Sequence, residues 1–284
     1  MDKTKQIQNC ERFKNLHLRD GLFILANAWD VSSALVFEQA GFEAVGTTSA
    51  GVAATLGLPD GEKLSIKENL ELIERICSKV KIPVNADIEA GYGDTIPEIL
   101  KNVEKFIDAG VAGINIEDEN HRREDDRNML YDITFQSEKI SAIKELAKLK
   151  GIPIVINGKT DASWLSVGKD KADIMNNTIR RANAYHEAGA DCVFVPGLLS
   201  PDEIQTLINE IDCPLNIVIK KGVPPVSELN KMGLKRLSMG SGPQRAILGF
   251  TKKIATEVLS AGTYNNIIDN EITYYDVKKM FGGK

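Results

Sequence analysis

The chain is short of cysteine. Its 284 residues contain four, Cys10, Cys77, Cys192 and Cys213, with no C-x-x-C pair and no histidine at metal-ligand spacing beside them. Neither a zinc site nor a disulfide framework fits that pattern, so reduced, mostly buried thiols in a cytoplasmic protein are expected. Long apolar runs are missing too. The first twenty residues, MDKTKQIQNCERFKNLHLRD, are polar and mixed in charge, unlike the apolar centre of a signal peptide. No later run reaches transmembrane length, so no membrane is expected as a partner. A basic surplus is also absent: 35 Lys and Arg stand against 40 Asp and Glu, a formal net charge of -5. Nucleic acid is therefore not an expected partner either. No stretch rich in Pro, Gly or Ser divides the chain, and no Gly-rich nucleotide turn is found.

What is present is an alternation. Short β-rich apolar runs occur at 22–29 (LFILANAW), 44–48 (AVGTT), 82–89 (IPVNADIE), 113–117 (GINIE), 152–160 (IPIVINGKT), 192–197 (CVFVPG), 214–219 (PLNIVI) and 236–240 (RLSMG). Segments with helical spacing separate them, and several stop at a glycine just before the next run, as in QAG-F, DAG-V and KLKG-I. Strand–helix alternation requires a parallel sheet, because each strand needs a crossover helix to return beside its neighbour. Eight such units predict an α/β fold, a (β/α)8 TIM-type barrel. The reading is a single domain over 1–284, with an N-terminal helical extension at 1–20 and a C-terminal helical tail at 262–284.

In such a barrel the chemistry gathers at the C-terminal strand ends. Here those ends are polar: Asn27, Trp29 and Asp30; Thr47, Thr48 and Ser49; Asn85, Asp87 and Glu89; Asn115, Glu117 and Asp118; Asn157, Lys159 and Asp161. Strand periodicity puts Asn85, Asp87 and Glu89 on one face, with Glu117 at the matching position on the next strand and Asp118 facing away. Carboxylates gathered in this way repel unless a cation or a raised pKa intervenes. A hard divalent cation answers this economically, Mg2+ (or Mn2+), which takes one or two direct carboxylates and leaves positions for substrate oxygens. The structural alternative is that these acids pair with bases or cap helices at the rim.

Six stretches, NAWDVSSALVFEQAGFEAVGTTSAG (27–51), LGLPDG (56–61), VNADIEAGYGD (84–94), GVAGINIEDE (110–119), INGKTD (156–161) and EAGADCVFVPG (187–197), run in order over most of the barrel. With these residues the chain resembles the isocitrate lyase and phosphoenolpyruvate mutase superfamily, and ADIEAGYG with the later IED is the specific part. The resemblance implies that Asp87 ligates Mg2+ directly, with Asp60, Glu89 and Glu117 reaching it largely through water. It implies that backbone amides around Ser49, Ala50 and Gly51 hold a substrate carboxylate. Gly91 and Gly93 fit a tight loop that brings backbone or Tyr92 to the ligand, and Trp29 forms an apolar wall or belongs to the core. It further implies a lyase that cleaves or decarboxylates a small anionic 2-oxo or 2-hydroxy (di)carboxylate through a metal-stabilised enolate. The alternatives are a mutase or hydrolase acting on a carbon–phosphorus bond, and a barrel that binds a metabolite without turnover. Homotetramers exchanging a C-terminal helix are common in that superfamily, and ITYYDVKKMF (272–281) is amphipathic enough for the purpose.

Two departures leave the reaction open. The loop after the fourth strand, EDENHRREDDRNMLYD (117–132), has neither the Cys-containing motif of the lyases nor the Lys-Thr-Asn of the mutase. It offers His121 as a proton donor or a solvated side chain, and Arg122, Arg123 and Arg127 as clamps for a distal anion. At strand 5, where relatives carry Arg, this chain has Lys159. It is read as an anion binder, a base of lowered pKa, or an ion-pair partner of Glu117.

Overall fold

A computed structural model describes residues 2–121, 130–197 and 199–282. Eight strands, β1 (Phe23–Ala28), β2 (Val45–Thr47), β3 (Val84–Asp87), β4 (Gly113–Glu117), β5 (Val155–Lys159), β6 (Cys192–Phe194), β7 (Leu215–Val218) and β8 (Arg236–Ser238), close in sequence order into one barrel. Every neighbouring pair is parallel, and closure is made by Phe23, Ile24 and Leu25 of β1 against Arg236, Leu237 and Ser238 of β8. The helices are α1 (Lys3–Leu18), α2 (Val31–Gln39), α3 (Ser49–Thr55), α4 (Ile66–Lys79), α5 (Ile96–Asp108), α6 (Ile133–Lys150), α7 (Lys171–Glu187), α8 (Pro201–Glu210), α9 (Val226–Met232), α10 (Gly242–Ala261), α11 (Asn265–Ile268) and α12 (Tyr274–Met280). The TIM-type barrel read from the alternation is thus the observed fold, with helices at both termini. No helix among the described residues is long and apolar enough to cross a membrane.

Local sequence explains the joints. α2, α4, α5 and α8 each begin with a reciprocal capping box, Asp30 with Ser33, Ser65 with Glu68, Thr95 with Glu98 and Ser200 with Glu203. Each satisfies amide groups that the first helical turn leaves without partners. Most strands are shorter than the apolar runs that announced them, and β3 corrects the sequence reading most. It ends at Asp87, and Glu89 lies beyond it in left-handed backbone with φ 50°. The strict alternation that grouped Glu89 with Asn85 and Asp87 therefore stops one residue short of Ile88. Helix α3, formed by small residues directly after β2, was not foreseen.

The barrel interior is polar above a plugged floor. Asn115 Oδ1 accepts from Asn85 Nδ2 at 2.9 Å and from Asn157 Nδ2 at 2.8 Å, joining three adjacent strands. Helix α1 seals the N-terminal end, where Gln6 Nε2 donates to the carbonyls of Ile107 at 2.7 Å and Val111 at 3.0 Å. Gly113 is required there, because a Cβ would come within 2.8 Å of the Phe13 ring. Arg236 is fully buried in this floor, with its guanidinium 5.6 Å from the centre of the Phe13 ring. Burial, with the Arg236 charge as a second cause, pulls the neighbouring His17 down to about 3, so the imidazole is neutral.

Helix α10 differs from the others. Of its 20 residues only Gln244 is buried, while Ile247, Leu248 and Leu259 stand exposed. The tail beyond it folds back far enough for Gln39 Nε2, on α2, to donate to the carbonyl of Met280 on α12 at 3.1 Å.

Candidate active site

The mouth of the barrel is organised around Glu117, the last residue of β4, which is only 4% exposed. One carboxylate oxygen lies 2.6 Å from His121 Nε2 and the other accepts from Lys159 Nζ at 2.5 Å. Burial alone would raise its pKa, but Lys159 and His121 overcome this and hold it below the ordinary carboxylate range. The histidine answers in the opposite sense. Burial disfavours its charge, yet the hydrogen bond and charge of Glu117 raise it above the usual imidazole range, so His121 holds its proton at neutral pH. Its Nδ1 faces Glu119 Oε1 at 3.4 Å.

Asp87 and Glu89 crowd the same space. Asp87 Oδ2 accepts from the backbone N–H of Ser49 at 3.0 Å, whereas its Oδ1 is buried without a partner. Burial and the charge of Glu117 push its pKa up to about 6. Glu89, 2% exposed, accepts from the Tyr92 hydroxyl at 3.1 Å and from the backbone N–H of Glu62. Burial, then Glu117, raises it above the usual range as well. Donor atoms of Glu89, Glu117 and His121 lie within 4.8 Å of one another, as do those of Glu117, Glu119 and Asp161. The carboxylates of this set suit a hard divalent cation, since they come from strand ends and the loops beside them and include a buried oxygen, Asp87 Oδ1, with no partner among the described residues.

Lys159 is held between two acids, Glu117 and Asp161, the latter at 2.9 Å. Of the roles read from the sequence, the ion pair is the arrangement present. Burial, acting against the pull of Lys159, drives Asp161 well above the ordinary range. Asp118 faces away from the mouth as periodicity required. It is buried, and accepts from Tyr185 Oη at 2.6 Å, Thr160 Oγ1 and the Asp161 N–H at 2.8 Å each, and Arg181 at 3.1 Å.

The remaining residues named from sequence surround this centre. Asp60 is exposed on the loop after α3, near enough for its charge to raise Asp87, Glu89 and Glu119. It is outside the groups of donor atoms that converge. Ser49, Ala50 and Gly51 form the first turn of α3, and the Ser49 amide is used on Asp87. A Cβ at Gly51 would sit 2.5 Å from Thr48 Cγ2 and 3.3 Å from Trp29 Cβ, so this turn tolerates only glycine there. Trp29 is half-buried and packs edge-on against Phe37 at 6.4 Å. Tyr92, at φ 58°, directs its hydroxyl to Glu89 and accepts from Asn69 Nδ2 at 3.0 Å, and a Cβ at Gly93 would meet the Ile99 amide at 2.8 Å. Arg122, Arg123 and Arg127 lie outside the described residues.

Two contributors, Glu62 and Glu119, were not singled out from the sequence, and a third, Asp161, was named only as a polar strand end with no role. Glu62 donates its N–H to Glu89 and accepts from the Tyr92 N–H at 2.8 Å, and its own backbone is left-handed at φ 54°. Glu119 and Asp161 complete the acidic wall. Asp161 had a signal, since it ends the strand-5 run two residues after Lys159. Glu62 had only its place after LPDG.

Fold and mouth together define a class: a (β/α)8 enzyme whose strand ends 3 to 5 deliver carboxylates, a histidine and a lysine into one buried cluster. Comparison with known proteins places it. The family model described as phosphoenolpyruvate phosphomutase matches residues 13–259, and the chain belongs to that family, within the isocitrate lyase and phosphoenolpyruvate mutase superfamily. An uncharacterised protein of Mycobacterium tuberculosis is 37% identical over 234 residues, 82% of this chain and 83% of that one. A 2-methylisocitrate lyase of Halalkalibacterium halodurans is 30% identical over 216 residues, 74% of this chain and 67% of that one. A crystal structure from Burkholderia cenocepacia, of a protein whose lyase/mutase assignment is itself provisional, superposes with a TM-score of 0.89 at 30% identity, covering 99% of this chain and 98% of that one.

Proposed function

We propose that the chain is a Mg2+-dependent lyase that breaks a carbon–carbon bond in a small 2-oxo or 2-hydroxy acid bearing a second anionic group. The observation that carries this reading is the convergence of the Glu89 and Glu117 carboxylates, with the protonated His121 within 4.8 Å of both, beside the buried Oδ1 of Asp87, which has no partner among the described residues. Asp87 is assigned as the direct ligand, with Glu89, Glu117 and the exposed Asp60 around it. The chemistry such a cation supplies is stabilisation of negative charge on the 2-oxo oxygen.

The protein's own groups do the rest. Ser49, Ala50 and Gly51 set the turn against which the substrate carboxylate rests, Trp29 and the Tyr92–Gly93 loop bound the space, and Lys159 fixes Glu117. Cleavage leaves an electron pair on a carbon beside a carbonyl or carboxylate, and turnover is complete when a proton returns there. His121 is the group assigned to give it, because Glu117 keeps its ring oriented and protonated.

A substrate panel tests the reading. With Mg2+, oxaloacetate or a substituted malate is expected to release a 2-oxo acid product. Turnover of phosphonopyruvate alone, with phosphate release, would replace the reading with carbon–phosphorus chemistry. Binding of oxalate without turnover of any panel member would replace it with a metabolite-binding role.

The exposed apolar face of α10 supports assembly of copies through the C-terminal helices, as a homotetramer. Light scattering is expected to give four times the mass of one chain, and a monomer at micromolar concentration would exclude the assembly.

A further inference from the structure

The cation at the centre of the mouth is already matched: Lys159 faces Glu117 at 2.5 Å and Asp161 at 2.9 Å. A substrate with a second anionic group needs positive charge elsewhere. Two cations stand at the same end of the barrel without a carboxylate partner among the described residues. Lys220 lies two residues past the end of β7, and Arg245 is in the first turn of α10, directly after β8. Gln244, next to Arg245, packs toward Gly51 at the same rim, since its Cβ is 3.6 Å from where a Cβ on Gly51 would be.

Lys220 is not a loose surface lysine. Its Nζ sits 3.2 Å from the centre of the ring of Trp164, a residue in the loop after β5 that is 50% exposed. Contact with an aromatic face orders a long side chain while leaving its N–H donors unspent. Burial and the nearby charge of Arg245 disfavour the Lys220 ammonium, as more weakly does Lys159, while the charge of Asp161 favours it. Lys220 is therefore within electrostatic reach of the central cluster. Two cations held near each other, with no carboxylate in contact with either among the described residues, are a local excess of charge that an anionic group relieves.

We propose that Lys220, Trp164 and Arg245 form an anion subsite on the β5–β7–β8 side of the mouth, which takes the substrate's second anionic group, a carboxylate or a phosphonate. Trp164 lends an apolar surface to the carbons between the two ends. This rests on the reading that the central cluster holds the 2-oxo or 2-hydroxy acid end.

The test compares oxalate, which occupies only the inner end, with oxaloacetate and phosphonopyruvate, which also reach the rim. Affinities are measured in the presence of Mg2+ for the native chain, Lys220→Ala and Lys220→Arg. Lys220→Ala is expected to weaken one or both of the longer ligands about 10- to 100-fold, the range for a charged hydrogen bond, while oxalate stays within about twofold. Lys220→Arg is expected to restore most of the loss. Loss of oxaloacetate alone identifies the group taken as a carboxylate, loss of phosphonopyruvate alone as a phosphonate, and loss of both as either. Equal binding of all three ligands by the native chain and Lys220→Ala overturns the subsite and leaves the metal-site reading intact. Equal weakening of all three overturns it as well, since Lys220 would then act on the inner end. Failure of the native chain to bind oxalate with Mg2+ overturns the metal-site reading, and the subsite with it.

Discussion

Replacing Asp87 with asparagine is expected to abolish turnover, by about a thousandfold or more, while making the metal-free chain more stable. The two effects have one cause. Asp87 is pushed up to about 6 by burial and by Glu117, and its Oδ1 has no partner. A carboxylate held in that state costs stability unless something outside the chain compensates. Asparagine keeps the oxygen that accepts from Ser49 and removes the charge that Glu117 repels. Thermal unfolding in EDTA should shift upward, by about 2–4 °C for each kcal/mol gained in a chain of this size. Added Mg2+ should raise the native midpoint and leave that of Asp87→Asn nearly unchanged. A destabilised variant that still responds to Mg2+ would assign Asp87 to the framework instead.

Lys159→Met is expected to have the opposite signature. The ammonium is the nearest positive charge to Glu117 and Asp161, 4% and 1% exposed, and removing one partner of a buried pair costs about 3–5 kcal/mol. Denaturant unfolding of the metal-free variant should show that loss. With saturating Mg2+ the loss should shrink, because a bound cation supplies positive charge to the same carboxylates. Turnover should also fall, by about a hundredfold, since Glu117 would no longer be held in place. A loss that is the same with and without Mg2+ would mean that the metal does not approach Glu117.

The barrel was legible because its signal is repeated eight times over and each unit supports the next. A strand boundary misjudged by a residue or two does not alter the count. The central acids were legible for the same reason: Asp87 and Glu117 end strands whose inward face is set by period two. Glu89 shows where this stops. Its participation was foreseen, but its position depends on a left-handed turn at 89 and on the amide of Glu62, which comes from a different loop. Lys159 shows a second limit. Whether it meets a ligand or a carboxylate depends on the register that sets it opposite Glu117, Lys159 pairing with Glu117 across β5 and β4. Residue type and spacing leave that choice open. Lys139 shows a third, because in the sequence it reads as one more lysine of a charged helix, although it falls on the buried stripe with Gln136, Ile140 and Ile143.

Lys139 also bears on how the proposed cation site would behave between one ion and the next. Completely buried on α6, it donates to the carbonyl of Ala90 at 3.2 Å and to that of Glu117 at 3.0 Å, with its ammonium 4.7 Å from the centre of the Tyr131 ring. Ala90 follows Glu89, so a single side chain fastens together, from behind, the two backbone segments that deliver Glu89 and Glu117. The spacing of those acids is set by the protein before any ion arrives. Under the proposed metal-dependent reading, cation exchange would be a change of occupant in a standing frame, and a departing ion would leave behind a site of the right shape for its successor.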